Sequence, residues 1–135
     1  MNERGKTLTT ILSTHDLSKI FRGNKVVADV NMTVRKGEIY GFLGPNGAGK
    51  TTVMKMMTNL VKPTTGYVEL FGKVLTHTSF DVLKRIGSMI EYPIFYEKLT
   101  ARDNLELHCE YLGYPDKNAI DQALEIVGLR NIGQK

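Results

Sequence analysis

Residues 44–52 read Gly44-Pro45-Asn46-Gly47-Ala48-Gly49-Lys50-Thr51-Thr52. The stretch fits the spacing G-x-x-x-x-G-K-[ST] without a substitution, and it is poor material for a strand or a helix interior. Phosphates carry dense negative charge. A loop whose backbone N–H groups converge can hold them if no side chain stands in the way, and Gly44, Gly47 and Gly49 are expected to clear that space. A helix following the loop adds its unpaired first N–H groups and its dipole. Lys50 then supplies a point charge for the β- and γ-phosphates, and the Thr51 hydroxyl supplies a hard oxygen for Mg2+.

The flanks fit this reading. Upstream, Ile39–Leu43 (Ile-Tyr-Gly-Phe-Leu) is almost wholly apolar, as expected of a short strand buried on both faces. Downstream, Val53, Met56, Met57, Leu60 and Val61 recur at i, i+3, i+4, i+7 and i+8, which predicts one face of a helix ended by Pro63. Methionines at that spacing are core packing, not a soft ligand site.

Outward from this unit the chain reads as strands first. Leu17, Ile20 and Phe21 lie before a turn at Arg22-Gly23-Asn24-Lys25, and Val30, Met32 and Val34 alternate with Asn31 and Thr33. Tyr67–Phe71 is a further strand, closed by Gly72. The second half is helical. Thr100 is an N-cap for a helix with Ala101, Leu105, His108, Cys109 and Leu112 on one face and Asp103 in its first turn, stopped by Gly113 and Pro115. Ile120, Ala123, Leu124 and Val127 mark another, ended by Gly128. The fold class is α/β, with an antiparallel piece on the N-terminal side.

Composition sets the outer bounds. The chain has 135 residues, 41% hydrophobic and 24% charged, enough for one domain with a core. No apolar stretch approaches a membrane span, and Met1–Thr14 lacks a signal-peptide pattern, so the chain is expected not to be secreted. A single cysteine, Cys109, fits a reducing cytoplasm, and without a second Cys or a paired His spacing no metal site is expected at His108-Cys109. The net charge is +4, but Lys and Arg are spread without a run of five or interleaved aromatics. That reads as a solvated basic surface and not a nucleic-acid face; attraction to anionic lipid beside a membrane partner is the weaker alternative.

A phosphate loop alone does not choose among kinases, GTPases and transport ATPases. The stretch Lys36–Thr52 closely resembles the nucleotide-binding subunits of ABC transporters, in which an Asn before the second Gly and a following Thr-Thr are habitual. The resemblance implies a P-loop NTPase fold of the ABC type, ATP and Mg2+ as ligands, and loop contacts from Gly44 through Thr52. Upstream, Asp16–Val34 resembles the family's opening strands. Phe21 matches its adenine-stacking aromatic and Val26 the small apolar residue beside the base, although Phe21 by itself is equally a core residue. Residues 62–72 resemble the strand after the loop helix. Residues 86–105 resemble the segment running from a short strand through the γ-phosphate-sensing loop into the helical subdomain, which would occupy about 90–135. The family's usual Gln is here Glu91. A carboxylate can still coordinate Mg2+, and the alternative is a solvated charge at a strand end. Glu91 with Tyr92-Pro93 and Phe95-Tyr96 most resembles the bacitracin and lantibiotic self-protection exporters.

The family's signature motif, Walker B aspartate, catalytic glutamate and switch histidine have no match in residues 1–135. The chain therefore reads as the N-terminal part of one nucleotide-binding domain, truncated before the signature motif, with no catalytic residue and inactive alone. Without strands from the later half Ile39–Leu43 would lack partners, so marginal stability and aggregation are expected. In the intact protein, the resemblance implies a transport-coupled ATPase at the inner face of the membrane. Two such subunits would work on separate permease subunits, with residues 96–112 near that contact. Two other functions stay open: a non-catalytic product that binds nucleotide weakly or not at all, and a small P-loop metabolite kinase, for which only isolated Arg102 and Arg130 are available as lid cations.

Overall fold

The computed structural model describes residues 9–93, 95–111, 113 and 116–129. They fall into two compact units that divide after Glu91. The first unit opens with a long hairpin, β1 (Thr10–Phe21) and β2 (Asn24–Arg35). Its two-residue turn, Arg22-Gly23, has φ of 48° and 84°, the mirror-image turn whose twist matches the strands it joins. The register shifts at four places, and two of the shifts carry a left-handed residue. β1 carries an extra residue where Asp16 adopts φ 46°, and β2 carries one where Asp29 adopts φ 48°. Polar side chains repair the ladder at both places. The buried Thr14 hydroxyl donates to Val30 O (2.8 Å) and accepts from Met32 N (3.1 Å). The buried Ser18 hydroxyl donates to Asp29 Oδ1 (2.9 Å) and accepts from Asp29 N (2.8 Å).

β3 (Thr65–Leu70) pairs with the other edge of β1, and β4 (Lys73–Val74) closes the sheet in the order β2-β1-β3-β4, all antiparallel. One face of the sheet meets α1 (Lys50–Met57) and the short α2 (Phe80–Leu83) over a core of Leu17, Val27, Val53, Met56, Val68, Leu70 and Val82. Beside this core an apolar groove of about 270 Å3 is lined by Leu12, Met54, Met57, Leu70, Ile86 and Met89 among others. It has no charge to offer a phosphate.

Three expectations for this unit are corrected. Ile39–Leu43 is not a buried strand: the segment has no ladder, Ile39 and Leu43 are fully exposed, and only Phe42 packs on the core. No strand among the described residues lies beside it, and backbone groups without a partner do not make a strand. Residues 86–90, expected to include the short strand before Glu91, have none for the same reason. The helix after the loop ends at Met57, well before Pro63. Asn59 turns left-handed (φ 62°), and Asn59 N and Leu60 N donate back to Met56 O (3.1 Å) and Lys55 O (2.8 Å), which closes the helix end; Leu60 is left exposed.

The second unit contains α3 (Ala101–Tyr111) and α4 (Lys117–Ile126), which pack on each other. Thr100 caps α3 as expected. Its hydroxyl accepts from Asp103 N (3.1 Å) while Asp103 Oδ2 accepts from Thr100 N (3.1 Å) and Oγ1 (2.7 Å). The expected apolar face of α3 is only half-buried at Ala101, Leu105 and Cys109, His108 is exposed, and Leu112 lies outside the described residues. α4 starts at Asp116, whose carboxylate accepts from Asn118 N and Ala119 N, and it buries Ile120 and Leu124. Gly128 (φ 72°) ends it, with Gly128 N on Glu125 O and Leu129 N on Leu124 O. Val127 is exposed and not on the buried face, because the turn at Gly128 begins there. Arg102 pairs with Asp121 between the two helices, and that bond raises the already high pKa of the guanidinium. Pro115 and Arg130 lie outside the described residues. Among the described residues no helix is long and apolar enough to cross a membrane.

Candidate nucleotide-binding site

The loop 44–49 leads directly into α1, with Gly49 as the N-cap at φ 82° and ψ 4°. A Cβ on Gly49 would lie 2.6 Å from Val26 O and 3.1 Å from Val27 Cγ2. The backbone of β2 therefore rests against the last glycine of the loop, and only a residue without a side chain fits there. Gly47 also needs its left-handed φ of 82°, though it faces open space. Gly44 is different within the fold itself. It has no positive φ, and a Cβ would meet only Ala48 Cβ at 3.6 Å and Lys50 Cδ at 3.9 Å, both ordinary contacts.

Buried Val53 and Met56 anchor α1 on the sheet, so the start of the helix is held in place. No side chain caps it and no acidic residue stands in its first turn. Its first N–H groups have no partner within the helix, and nothing there repels an anion. The Lys50 ammonium folds back over the loop, donating to Gly44 O (2.6 Å) and Pro45 O (2.7 Å), while Ala48 N donates to Pro45 O (3.2 Å) and tightens the turn. A phosphate oxygen would replace those neutral acceptors with a stronger, charge-assisted one. Left-handed Gly49, an uncapped helix start and a cation at the loop mouth fit a polyphosphate.

The other sequence-predicted residues are placed as follows. Thr51 and Thr52 are half-buried in the first turn of α1. Val26, partly exposed, is brought to the loop through its carbonyl at Gly49. Phe21 ends β1 and is 44% exposed, so it is not the core residue it could equally have been; the Lys19 ammonium sits 4.9 Å from the ring centroid. Glu91 is exposed at φ 67°, and its Oε1 accepts from Lys55 Nζ at 2.9 Å. Lys55 lies four residues beyond Thr51 on α1, so the two share a helix face. Sequence reading gave Lys55 no role, because its partner is distant in the chain and a lysine in a last helical turn is ordinary.

Comparison with known proteins places this geometry. The family model described as ABC transporter matches residues 27–135. The chain is 59% identical over 128 residues to the uncharacterized ABC transporter ATP-binding protein YcbN of Bacillus subtilis (strain 168), covering 95% of this chain and 42% of that protein. It is 48% identical, over the same shares, to the bacitracin transport ATP-binding protein BcrA of Bacillus licheniformis. Among solved structures, one described as the ATP-binding subunit of an ABC transporter superposes with a TM-score of 0.67 at 32% identity, over 77% of this chain and 43% of that one. The chain thus spans about two fifths of the length of these relatives. A family match across most of the chain shows that the chain belongs to the ABC transporter family.

Proposed function

We propose that this chain binds MgATP as part of the nucleotide-binding subunit of an ABC exporter. The observation that carries the reading is the seat of Gly49. Its approach to Val26 O fixes the phosphate loop on an uncapped helix start, with the Lys50 ammonium over the loop mouth. In this reading the N–H groups of residues 46–52 and the Lys50 ammonium bind the phosphates, with Pro45 and Gly44 shaping the turn. The exposed face of Phe21 takes the adenine and Val26 packs beside it. The Thr51 hydroxyl and the Glu91 carboxylate are the hard oxygen donors for Mg2+, which when bound neutralises phosphate charge.

The relatives' names supply the wider proposal. BcrA is named for bacitracin transport, which supports export of a peptide antibiotic as the work of the whole protein. We assign ATP hydrolysis to that whole protein, with a second nucleotide-binding subunit and separate permease subunits as partners on the cytoplasmic face of the membrane. The test is calorimetry of the 135-residue chain with MgATP. A charge-assisted hydrogen bond contributes about 1.5–3 kcal/mol, so Lys50→Ala is expected to weaken binding by at least about tenfold. Equal affinity in the two proteins would show that the loop is not the site.

A further inference from the structure

Lys55 and Glu91 form an exposed ion pair, and pairs of that kind add little to folding. Three features of this one point elsewhere. The lysine backbone is fixed more firmly than that of a free surface residue: Lys55 O accepts from Leu60 N (2.8 Å), Val61 N (3.0 Å) and the Thr58 hydroxyl (3.3 Å) at the closed end of α1. Its side chain shares a face with Thr51, one turn nearer the loop. Its partner Glu91 holds a left-handed backbone (φ 67°) that a residue with a Cβ adopts rarely, and such strain collects at sites where the surrounding structure fixes a side chain. Lys55 takes only Oε1 of the carboxylate.

Resting on the MgATP reading above, we propose that Lys55 is a positioning residue. Its ammonium holds Glu91 by one oxygen on the Thr51 face of α1 and leaves the other oxygen for a metal-bound nucleotide. Lys55 touches neither metal nor nucleotide in this arrangement. It acts through Glu91.

The experiment measures ATP affinity of the full chain by calorimetry, once with Mg2+ and once with EDTA, and takes the ratio. Partners that orient a metal ligand typically change metal affinity about 10–100-fold, so Lys55→Met is expected to cut the ratio by about tenfold. Affinity in EDTA should change far less, and Lys55→Arg should restore most of the ratio. In a Glu91→Gln background the same Lys55→Met change should leave the ratio where Glu91→Gln alone puts it. Far-UV circular dichroism confirms that each variant is folded; Met keeps the aliphatic stem of the lysine, so α1 loses only the charge. An unchanged ratio in Lys55→Met, or an equal drop with and without Glu91, overturns the proposal while leaving ATP binding intact. Failure of the unsubstituted chain to bind ATP in EDTA or Mg2+ overturns the functional reading, and this inference with it.

Discussion

Gly44 and Gly49 are the two fixed glycines of the motif, yet the fold itself needs only Gly49. At Gly49 a methyl group would sit 2.6 Å from the Val26 carbonyl oxygen at a φ of 82°, so the loop or β2 must move. The left-handed conformation alone costs about 1–2 kcal/mol for a residue with a Cβ. Gly49→Ala is therefore expected to destabilise the chain by about 2 kcal/mol or more, the overlap with Val26 O adding to the conformational cost. Gly44→Ala meets only ordinary contacts and should change stability by less than about 0.5 kcal/mol. Any loss of ATP affinity in Gly44→Ala then reports a phosphate oxygen approaching that backbone. Chemical denaturation and calorimetry on the two variants separate these effects, and equal destabilisation would contradict the assignment. The loop was legible from spacing alone because its requirements are local. The Val26 carbonyl and Lys55 were not, because each acts through a residue that lies far away in sequence.

Elements were legible where their end signals are chemical and local. The pair Thr100 and Asp103 announces the start of α3, and Gly128 the end of α4, and both stand where the sequence put them. Pro63 misled for α1, because Asn59 can turn left-handed and stop the helix first, with its Nδ2 donating to Thr76 O at 2.9 Å. The cap of α3 also predicts a pH dependence. Hydrogen bonds from the Thr100 hydroxyl, then from its backbone N–H, hold the Asp103 carboxyl below its ordinary pKa. A depressed folded pKa means that the stabilisation is fully present above the unfolded value, near ~3.9, and is lost as pH falls through the folded value beneath it. Asp29, bonded by Lys25 and Ser18, and Asp81, bonded by Lys73, are shifted in the same direction and add to the acid loss. Asp103→Asn removes one of these three groups. Its denaturation midpoint is expected to fall less steeply than that of the unsubstituted chain as pH drops below about 4. Equal slopes would show that the cap does not titrate with folding.

For the molecule as a whole, the difference between sequence and structure concentrates in residues 39–43 and 86–90. The first reads as a buried strand from its apolarity and the second as a short strand from the family resemblance, and neither has a ladder. Apolarity states what a segment is able to bury; a strand also needs a neighbour for its N–H and C=O groups, and that neighbour is a property of the fold. The antiparallel sheet was legible because its alternation and turns are self-contained, whereas a parallel strand carries no mark of which segment will lie beside it. The physical consequence is exposed apolar surface: Ile39 and Leu43 are fully accessible, and Met89, which lines the apolar groove, is 71% exposed. Unpaired apolar segments of this kind associate with copies of themselves. The 135-residue chain is therefore expected to elute from size exclusion ahead of its monomer position, increasingly so with concentration. Ile39→Lys with Leu43→Lys should move it toward monomer while leaving the melting temperature within about 3 °C, because neither side chain is part of the core. A double variant that fails to fold would mean that these side chains are buried in solution. A monomeric unsubstituted chain at every concentration would mean that the exposed run does not drive association.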